Sequence, residues 1–275
     1  MNPGLVSIVI PTYNSGRFIG KCLDSLNKQT YPQIEIIVVD DPLTADRTRE
    51  ISQAYGARVI VEPAGVAESR NIGVRNARGE FIYHIDSDME LTPTVVEESV
   101  GLLENSSCGG VIVPEVSVGE TFWAKCKGFE KCLILMDDDL EAARFYRKKV
   151  FDTVGLYDPK LEAAEDYDFS LRARQAGFKF CRCKSVVYHH EGELTLFATM
   201  RKKYRYGLTI GRYLKKHRGV ARRQFFPLRR AYFRNGKMFI EHPVLGVGFV
   251  VMKLCEYAAG GVAFCRARLG YEHPL

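Results

Sequence analysis

The stretch HIDSDMEL, residues 84–91, follows the apolar run GEFIY and delivers Asp86, Asp88 and Glu90 at alternate positions. Burying an unpaired carboxylate is costly, so acids at the end of such a run need a cationic side chain or a metal. A D-x-D triplet alone is common and equally suits an Asx-type turn capping the next helix. At a strand end, however, both acids leave through one loop. Mg²⁺ or Mn²⁺ bound by one or two carboxylates together with substrate phosphates is a recurrent arrangement at such a place.

The elements that must position this pair alternate along the first 115 residues. LVSIVIP (5–11) and IEIIVVDD (34–41) are continuous β-branched runs, the pattern of strands covered on both faces. Between them Phe18, Ile19, Cys22, Leu23 and Leu26 fall at helical spacing. TADRTREISQAYG predicts a second helix ending at Gly56, ARVIVEP a third strand, GVAESRNIGVRNARG a third helix and EFIYHID a fourth strand. A helix follows with Thr92 as N-cap and Pro93 at its first position, and GGVIVPEV is read as a fifth strand. Repeated βαβ units imply an α/β fold with a mostly parallel sheet and helices on both faces. Ligands bind beyond the carboxyl ends of such strands, so Thr12, Asn14, Asp40, Asp41, Glu62, Asp86 and Asp88 are expected on one rim. In 116–195 the reading is a helix and loop over TFWAKCKGFEKCLILMDDDLEAA, then a short strand and helix in RFYRKKVFDTVG. EDYDFSLRARQAGF follows as a helix burying Phe169, Leu171, Ala173 and Ala176 with a stop at Gly177, and KFCRCKSVVYHH as one strand ending in paired histidines.

Four blocks, VSIVIPTYN, IIVVDD…T.D.T, GVAESRNIGVRNARGEFIYHIDSDMEL and EDYDFSLRARQAGF, resemble the family 2 nucleotide-sugar glycosyltransferases of the GT-A fold, in the right order over residues 5–195. The resemblance implies that Pro11, Thr12, Tyr13 and Asn14 wrap the base and ribose and that Asp40, with Asp41 close by, contacts the base. It implies further that Arg70 and Asn71 lie near the sugar diphosphate. Asp86 and Ser87 would lie near the ribose, with Asp86, Asp88 and His189 around a Mn²⁺ or Mg²⁺ ion. Asp166 would be the catalytic base, with Glu165 beside it toward the acceptor. The bland alternatives are a helix N-cap for Asp166 and a strand-end histidine for His189, while His84 reads as structural. Pro42 and Leu43 depart from the family's usual Gly-Ser after the aspartate pair. Proline removes an amide donor, so the nucleotide stays open: UDP is expected, with GDP and thymidine diphosphate as alternatives.

The implied chemistry is transfer of a sugar from a nucleotide-diphosphate sugar to a hydroxyl of a glycan acceptor. A metal and Arg70 would offset charge on the leaving diphosphate. One base without a second carboxyl nucleophile suggests a single displacement with inversion. Transfer to a polyprenyl phosphate is the alternative within the class, and a non-catalytic membrane-bound adaptor the alternative outside it. A pyrophosphorylase would carry a glycine-rich phosphate loop, whereas PTYNSGRF has a single glycine; a glycoside hydrolase would need a second carboxylate partner for Asp166.

The chain divides on this reading into 1–115 for the nucleotide sugar, 116–195 for acceptor and base within the same domain, and a helical 196–275. Its net charge of +6 hides an uneven distribution: fourteen Lys or Arg and no Asp or Glu lie between Arg201 and Lys237, leaving 25 basic against 33 acidic residues elsewhere. Such a segment meets a polyanion. No nucleic-acid motif accompanies it, so residues 201–264 are expected to meet an anionic membrane and the acceptor to be a lipid-linked glycan or polyprenyl phosphate. Residues 243–264 could cross a bilayer by length, yet Lys253 and Glu256 sit mid-helix, on one stripe with His242, Gly246 and Gly260. Interfacial attachment, peripheral or monotopic, at the cytoplasmic face is therefore expected ahead of spanning, with a helix packed on the catalytic domain or a second subunit as the alternative. No secretory leader is legible in MNPGLVSIVIPTYNS, and the eight cysteines are read as reduced thiols, with CRC at 181–183 too weak for a zinc site.

Overall fold

The computed structural model describes residues 2–137, 140–161, 163–225 and 229–269. Residues 138–139 of the expected helix-and-loop stretch, 226–228 of the basic segment and the closing 270–275 lie outside them. The first half runs β1 (Asn2–Thr12), α1 (Ile19–Asn27), β2 (Ile34–Asp40), α2 (Thr48–Ala54), β3 (Arg58–Val61), α3 (Val66–Asn76), β4 (Gly79–His84), β5 (Met89–Leu91), α4 (Val95–Glu104), β6 (Cys108–Ile112), β7 (Glu115–Val118) and α5 (Phe122–Ile134). Then follow β8 (Phe145–Arg147), α6 (Lys148–Val154), α7 (Glu165–Gln175), β9 (Lys179–Arg182), β10 (Val187–His190), α8 (Leu196–Lys216), α9 (Arg218–Phe225), α10 (Arg230–Arg234), α11 (Lys237–Glu241) and α12 (Pro243–Arg268).

Two compact units form. The first holds Met1–Glu115, Ala142–Pro159 and Glu165–His190; the second holds Val116–Glu141, Lys160–Ala164 and Glu191–Leu275. Residues 116–195 are thus shared between both.

In the first unit a seven-stranded sheet has the order β3-β2-β1-β4-β8-β6-β9. All neighbours are parallel except β8, antiparallel to β4 and β6. Strand side chains alternate between faces, and both faces are apolar. Val6, Ile8 and Ile10 of β1, Val38 of β2 and Phe81 and Tyr83 of β4 pack with α1 and α4. Val9, Ile37, Val39 and Ile82, their neighbours in sequence, pack with α3, α6 and α7. This is why these strands read as unbroken hydrophobic runs. β5 pairs antiparallel with β10, setting Met89 opposite His189.

Several local expectations are corrected. The fourth helix starts at Val95 with Thr94 at its N-cap, while Thr92 turns its hydroxyl onto Val186 O. Pro114, which has no N–H, falls in the break between β6 and β7, so GGVIVPEV is two strands. KFCRCKSVVYHH also breaks, at Cys183, whose N–H bonds Ile112 O. In α7, Phe169 and Ala173 are buried but Leu171 is half-buried and Ala176 exposed, because Ala176 lies past the last helical turn. Not all cysteines are free thiols: Cys108 and Cys181, brought together by the β6–β9 pairing, form a disulfide.

The second unit centres on α5, α8 and α10–α12. Cys126, Phe129 and Leu133 of α5 pack with Phe249 and Met252 of α12 and Ala231 and Tyr232 of α10. α8 lies close along α12 because Gly207 faces Gly260: a Cβ on Gly207 would stand 2.3 Å from Gly260 O. Five charged residues sit inside this helical layer. Lys253 Nζ donates to Glu130 Oε1 at 2.8 Å and to Glu256 Oε2 at 2.7 Å, and Lys127 Nζ to Glu130 Oε2 at 2.7 Å. Burial would push Glu130 up, but Lys127 and Lys253 hold it well below the usual carboxylate range. Burial, reinforced by Lys127, pushes Lys203 down to about 7.

Two consequences are measurable. A Cβ at position 73 would lie 2.1 Å from Val9 Cγ1, so Gly73→Ala should overpack α3 on β1 and cost about 1–3 kcal/mol; an unchanged melting temperature would refute this account of the contact. Glu130→Gln would leave Lys127 and Lys253 with Glu256 as their remaining partner in the layer. Breaking such a buried pair costs about 3–5 kcal/mol, and a urea midpoint equal to wild type would refute the network's role.

Candidate active site

Asp86 lies just beyond β4 because Tyr83 of β4 pairs with Phe145 of β8, and the next residues in register, His84 and Arg144, share a backbone bond. That register brings Arg144 Nη1 to within 2.8 Å of Asp86 Oδ2. From α3, Arg70 Nη2 donates to Asp86 Oδ1 at 3.0 Å, and its Nη1 to Glu165 Oε1 of α7 at 2.7 Å. Arg70 is 3% exposed, lies 5.8 Å over the Tyr157 ring, and its Nε is buried without a hydrogen bond among the described residues. Burial would raise the Asp86 carboxyl, yet Arg144 and Arg70 hold it well below the usual range. The same two cations and burial keep His84 neutral between Phe151 and Tyr157.

The turn after Asp86 closes with Met89 N–H donating to Asp86 O. β5 then carries Asp88 to β10, where His190 N–H bonds Asp88 O and His189 Nε2 lies 3.2 Å from Asp88 Oδ2. His189 Nδ1 lies 3.2 Å from Glu115 Oε1. Burial opposes a charge on His189, but the bonds to Asp88 and Glu115 raise it to about 10. Asp88 Oδ1 is buried and has no hydrogen bond among the described residues. Beneath this loop Cys22 Sγ lies 3.8 Å from Asp86 O, its thiol pushed up by burial and by Asp88 and Asp86.

A divalent cation fits here on one observation: a buried carboxylate oxygen without a partner stands beside an imidazole. Asp88 and His189 would hold it, and ligation would displace the imidazolium proton. Asp86, expected to share the ion, has both oxygens committed to arginines. Among the described residues no three His, Cys, Asp or Glu converge as a ready cage.

The residues expected at the nucleotide form a second cluster around Asp40, which is fully buried. Its Oδ1 accepts from Thr12 Oγ1 at 2.7 Å and Thr44 Oγ1 at 2.9 Å, and its Oδ2 from Arg49 Nε at 2.6 Å. Asp40 therefore shapes this rim through Thr12, Thr44 and Arg49. Asp41 Oδ1 caps the Pro42–Leu43 turn by accepting Leu43 N–H at 2.8 Å, and Arg49 Nη2 fixes the same turn through the carbonyls of Asp41 and Pro42. Asn14, with φ 48°, accepts Ala45 N–H, while Ser15 N–H bonds Thr48 and Gly16 N–H bonds Asp46. Tyr13 is left 59% exposed, next to Thr12 and beyond the end of Pro11's strand. Ser87 Oγ donates to Ser15 Oγ at 2.9 Å, tying this cluster to the aspartate turn. Asn71 is buried and bonds both backbone groups of Tyr157, so it sets the ring that backs Arg70.

Asp166, one residue into α7, accepts Tyr167 N–H and exerts its charge on Arg144, Glu165 and Tyr146. Arg144, Arg49 and Glu115 were not singled out from sequence. Thr44, Asp46 and Thr48 were visible as T.D.T, but nothing in that spacing says that they anchor residues 12–16.

Glu165 is the titratable member of the arginine clamp. Burial pushes it up, Arg70 pulls it back and Asp166 pushes again, leaving it at about 7. A carboxyl raised in the folded state contributes its full stability below the unfolded value of 4.5 and loses it as pH rises toward 7. Glu165→Gln should flatten this slope, worth at most about 3 kcal/mol; equal slopes in urea titrations of both proteins across that window would contradict it.

With this geometry in place, comparison with known proteins is informative. Residues 7–126 match the model of glycosyl transferase family 2. An uncharacterised glycosyltransferase of Rickettsia typhi is 28% identical over 204 residues, 68% of this chain and 62% of its own. EpsJ of Bacillus subtilis, also an uncharacterised glycosyltransferase, is 32% identical over 200 residues, 62% of this chain and 56% of its own. The chain thus spans less than two thirds of the length of these curated relatives. Among solved structures, a mannosyltransferase of Pyrobaculum calidifontis in complex with GDP-Man and Mn²⁺ matches with TM-score 0.66 at 16% identity, over 97% of this chain and 88% of that one. TarS 1–349 of S. aureus in complex with UDP-GlcNAc matches with TM-score 0.57 at 16% identity, over 98% and 93%. The sheet with its rim of acids is therefore a GT-A fold, and residues 7–126 within it are similar to glycosyl transferase family 2.

Proposed function

We propose that the protein transfers a sugar from a nucleotide-diphosphate sugar, a UDP-sugar first among the donors, to a hydroxyl of a lipid-linked glycan with inversion at the anomeric carbon. The observation that carries this reading is the clamp on Asp86. Arg70, buried, and Arg144, half-buried, meet one carboxylate at a strand end, Asp88 offers a buried free oxygen two residues on, and Glu165 of α7 completes the clamp with Asp166 next to it in sequence. The Mn²⁺ complex and the UDP-GlcNAc complex of the two structural neighbours support the choice of ligands, though they speak directly only for those proteins.

In the reaction the acceptor hydroxyl gives its proton to Asp166 while its oxygen bonds the anomeric carbon. The bond from that carbon to the diphosphate oxygen breaks, and the diphosphate leaves with the electron pair. A divalent cation held by Asp88 and His189 supplies positive charge to that diphosphate when bound. Arg70 adds a buried donor, its Nε, aligned by Glu165, Asp86 and the Tyr157 ring. Tyr13 offers an exposed ring for the base, and Thr12, Asn14 and Ser87 line the approach to it.

Diphosphate release from candidate donors in Mn²⁺, with a glycan acceptor, tests the reading. Asp166→Asn should lower turnover by about 10²–10⁴-fold, the usual contribution of a positioned base, while donor still raises the melting temperature. Near-wild-type turnover would remove the base and point to an acceptor that arrives deprotonated, such as a polyprenyl phosphate. Asp88→Ala should keep the fold and lose cation-dependent release; release that still rises with Mn²⁺ would remove Asp88 from the site.

A further inference from the structure

α12 turns its charges inward and its apolar side chains outward. Lys253 and Glu256 are bonded to each other and, through Glu130 and Lys127, to α5. Every exposed residue from Val244 to Cys265 is apolar or glycine. Val244, Val247, Val251, Leu254 and Val262 are each at least 40% exposed, and at helical spacing they form one stripe about 30 Å long. Only 33% of the helix's most apolar window is buried, although its mean hydropathy is 1.5. A helix belonging to a water-soluble core would be mostly covered, and an apolar face of this length marks an interaction site.

The stripe continues into a groove. Phe122 and Trp123 at the start of α5, with Val244, Val247, Gly248 and Val251 of α12, line an open apolar cleft of about 450 Å³. Gly248 lets the two helices close, since a Cβ there would stand 2.5 Å from Phe122 Cζ. Aromatic rings beside aliphatic side chains suit the boundary between headgroups and acyl chains.

We infer that the second unit docks on an anionic bilayer as a monotopic module, with the α12 stripe in the acyl layer and one lipid chain in the Phe122–Val247 groove. Charge selects this occupant. Arg201, Lys202, Arg205 and Arg212 are exposed on α8, which packs along α12. A second copy of the chain would bring the same fourteen cations of 201–237 against these, whereas anionic headgroups neutralise them. The helix lies along the surface and does not cross, because crossing would draw the exposed cations of α8 into hydrocarbon. This inference rests on the proposed function only in tying the docked lipid to the acceptor class; docking itself needs no turnover.

The test is co-sedimentation of the full chain with vesicles of phosphatidylcholine containing about one third phosphatidylglycerol, beside pure phosphatidylcholine. Wild type should bind the anionic vesicles and weaken as salt rises. Val247→Glu and Leu254→Glu, both surface changes, should each cost about tenfold in partitioning with melting temperatures preserved. The milder Val251→Thr should lower binding in the same direction. Unchanged binding of these variants, or wild type remaining in the supernatant with both vesicles, overturns the inference. A dimer in analytical ultracentrifugation that Val247→Glu dissolves, without vesicle binding, also overturns it and assigns the face to a second copy. The nucleotide-sugar-induced melting shift separates the two readings. Its loss with vesicle binding intact defeats the transferase alone, and its retention with vesicle binding absent defeats the docking alone.

Discussion

A carboxylate at the end of a buried strand persists only if cations meet it there, since stripping its water costs several kcal/mol. Asp86 is met twice, by Arg70 from α3 and by Arg144 from the start of β8. Each arginine is itself paired onward, Arg70 with Glu165 of α7 and Arg144 toward Glu115 at the start of β7. Three acids and two guanidinium groups thereby lock the ends of β4, α3, α7 and β8 into one arrangement. The aspartate turn takes its geometry from this lock, and so does the position in which Asp88 reaches His189.

The rim beyond β1 and β2 rests on a parallel device. Asp40 ends β2 fully buried, and Thr12, Thr44 and Arg49 consume its bonding capacity. The loops after β1 and β2 therefore hold their shape through an internal acid, leaving Tyr13 outward. In both clusters the acids nearest the sheet are structural anchors, whereas Asp88, one step farther out, keeps a buried oxygen without a hydrogen bond among the described residues.

In the second unit the same rule runs through helices. Lys127, Glu130, Lys253 and Glu256 satisfy one another inside the layer, which frees the outer surface of α12 to be apolar throughout. A helix whose sequence looks interrupted by mid-span charges is thus uninterrupted on the face it presents. Periodicity puts Lys253 and Glu256 on one stripe; that the stripe faces Glu130 depends on which neighbour each charge meets.

The sequence by itself determined the alternation of strands and helices, the two-faced burial of β1, β2 and β4, and the resemblance to family 2 glycosyltransferases, because side-chain periodicity and the order of PTYN, VVDD, IDSD and AEDYD are local properties. It also carried the uneven charge of the chain. Tertiary structure alone decided that Asp86 and Asp40 are held by arginines. It decided likewise that Asn71 positions Tyr157, that Cys108 bonds Cys181 and that Lys253 and Glu256 face inward. Most of these depend on partners dozens of residues away, as with Arg144, Tyr157, Cys181 and Glu130, set by sheet register and helix rotation, and a pairing energy across that distance leaves no trace in the spacing of either partner.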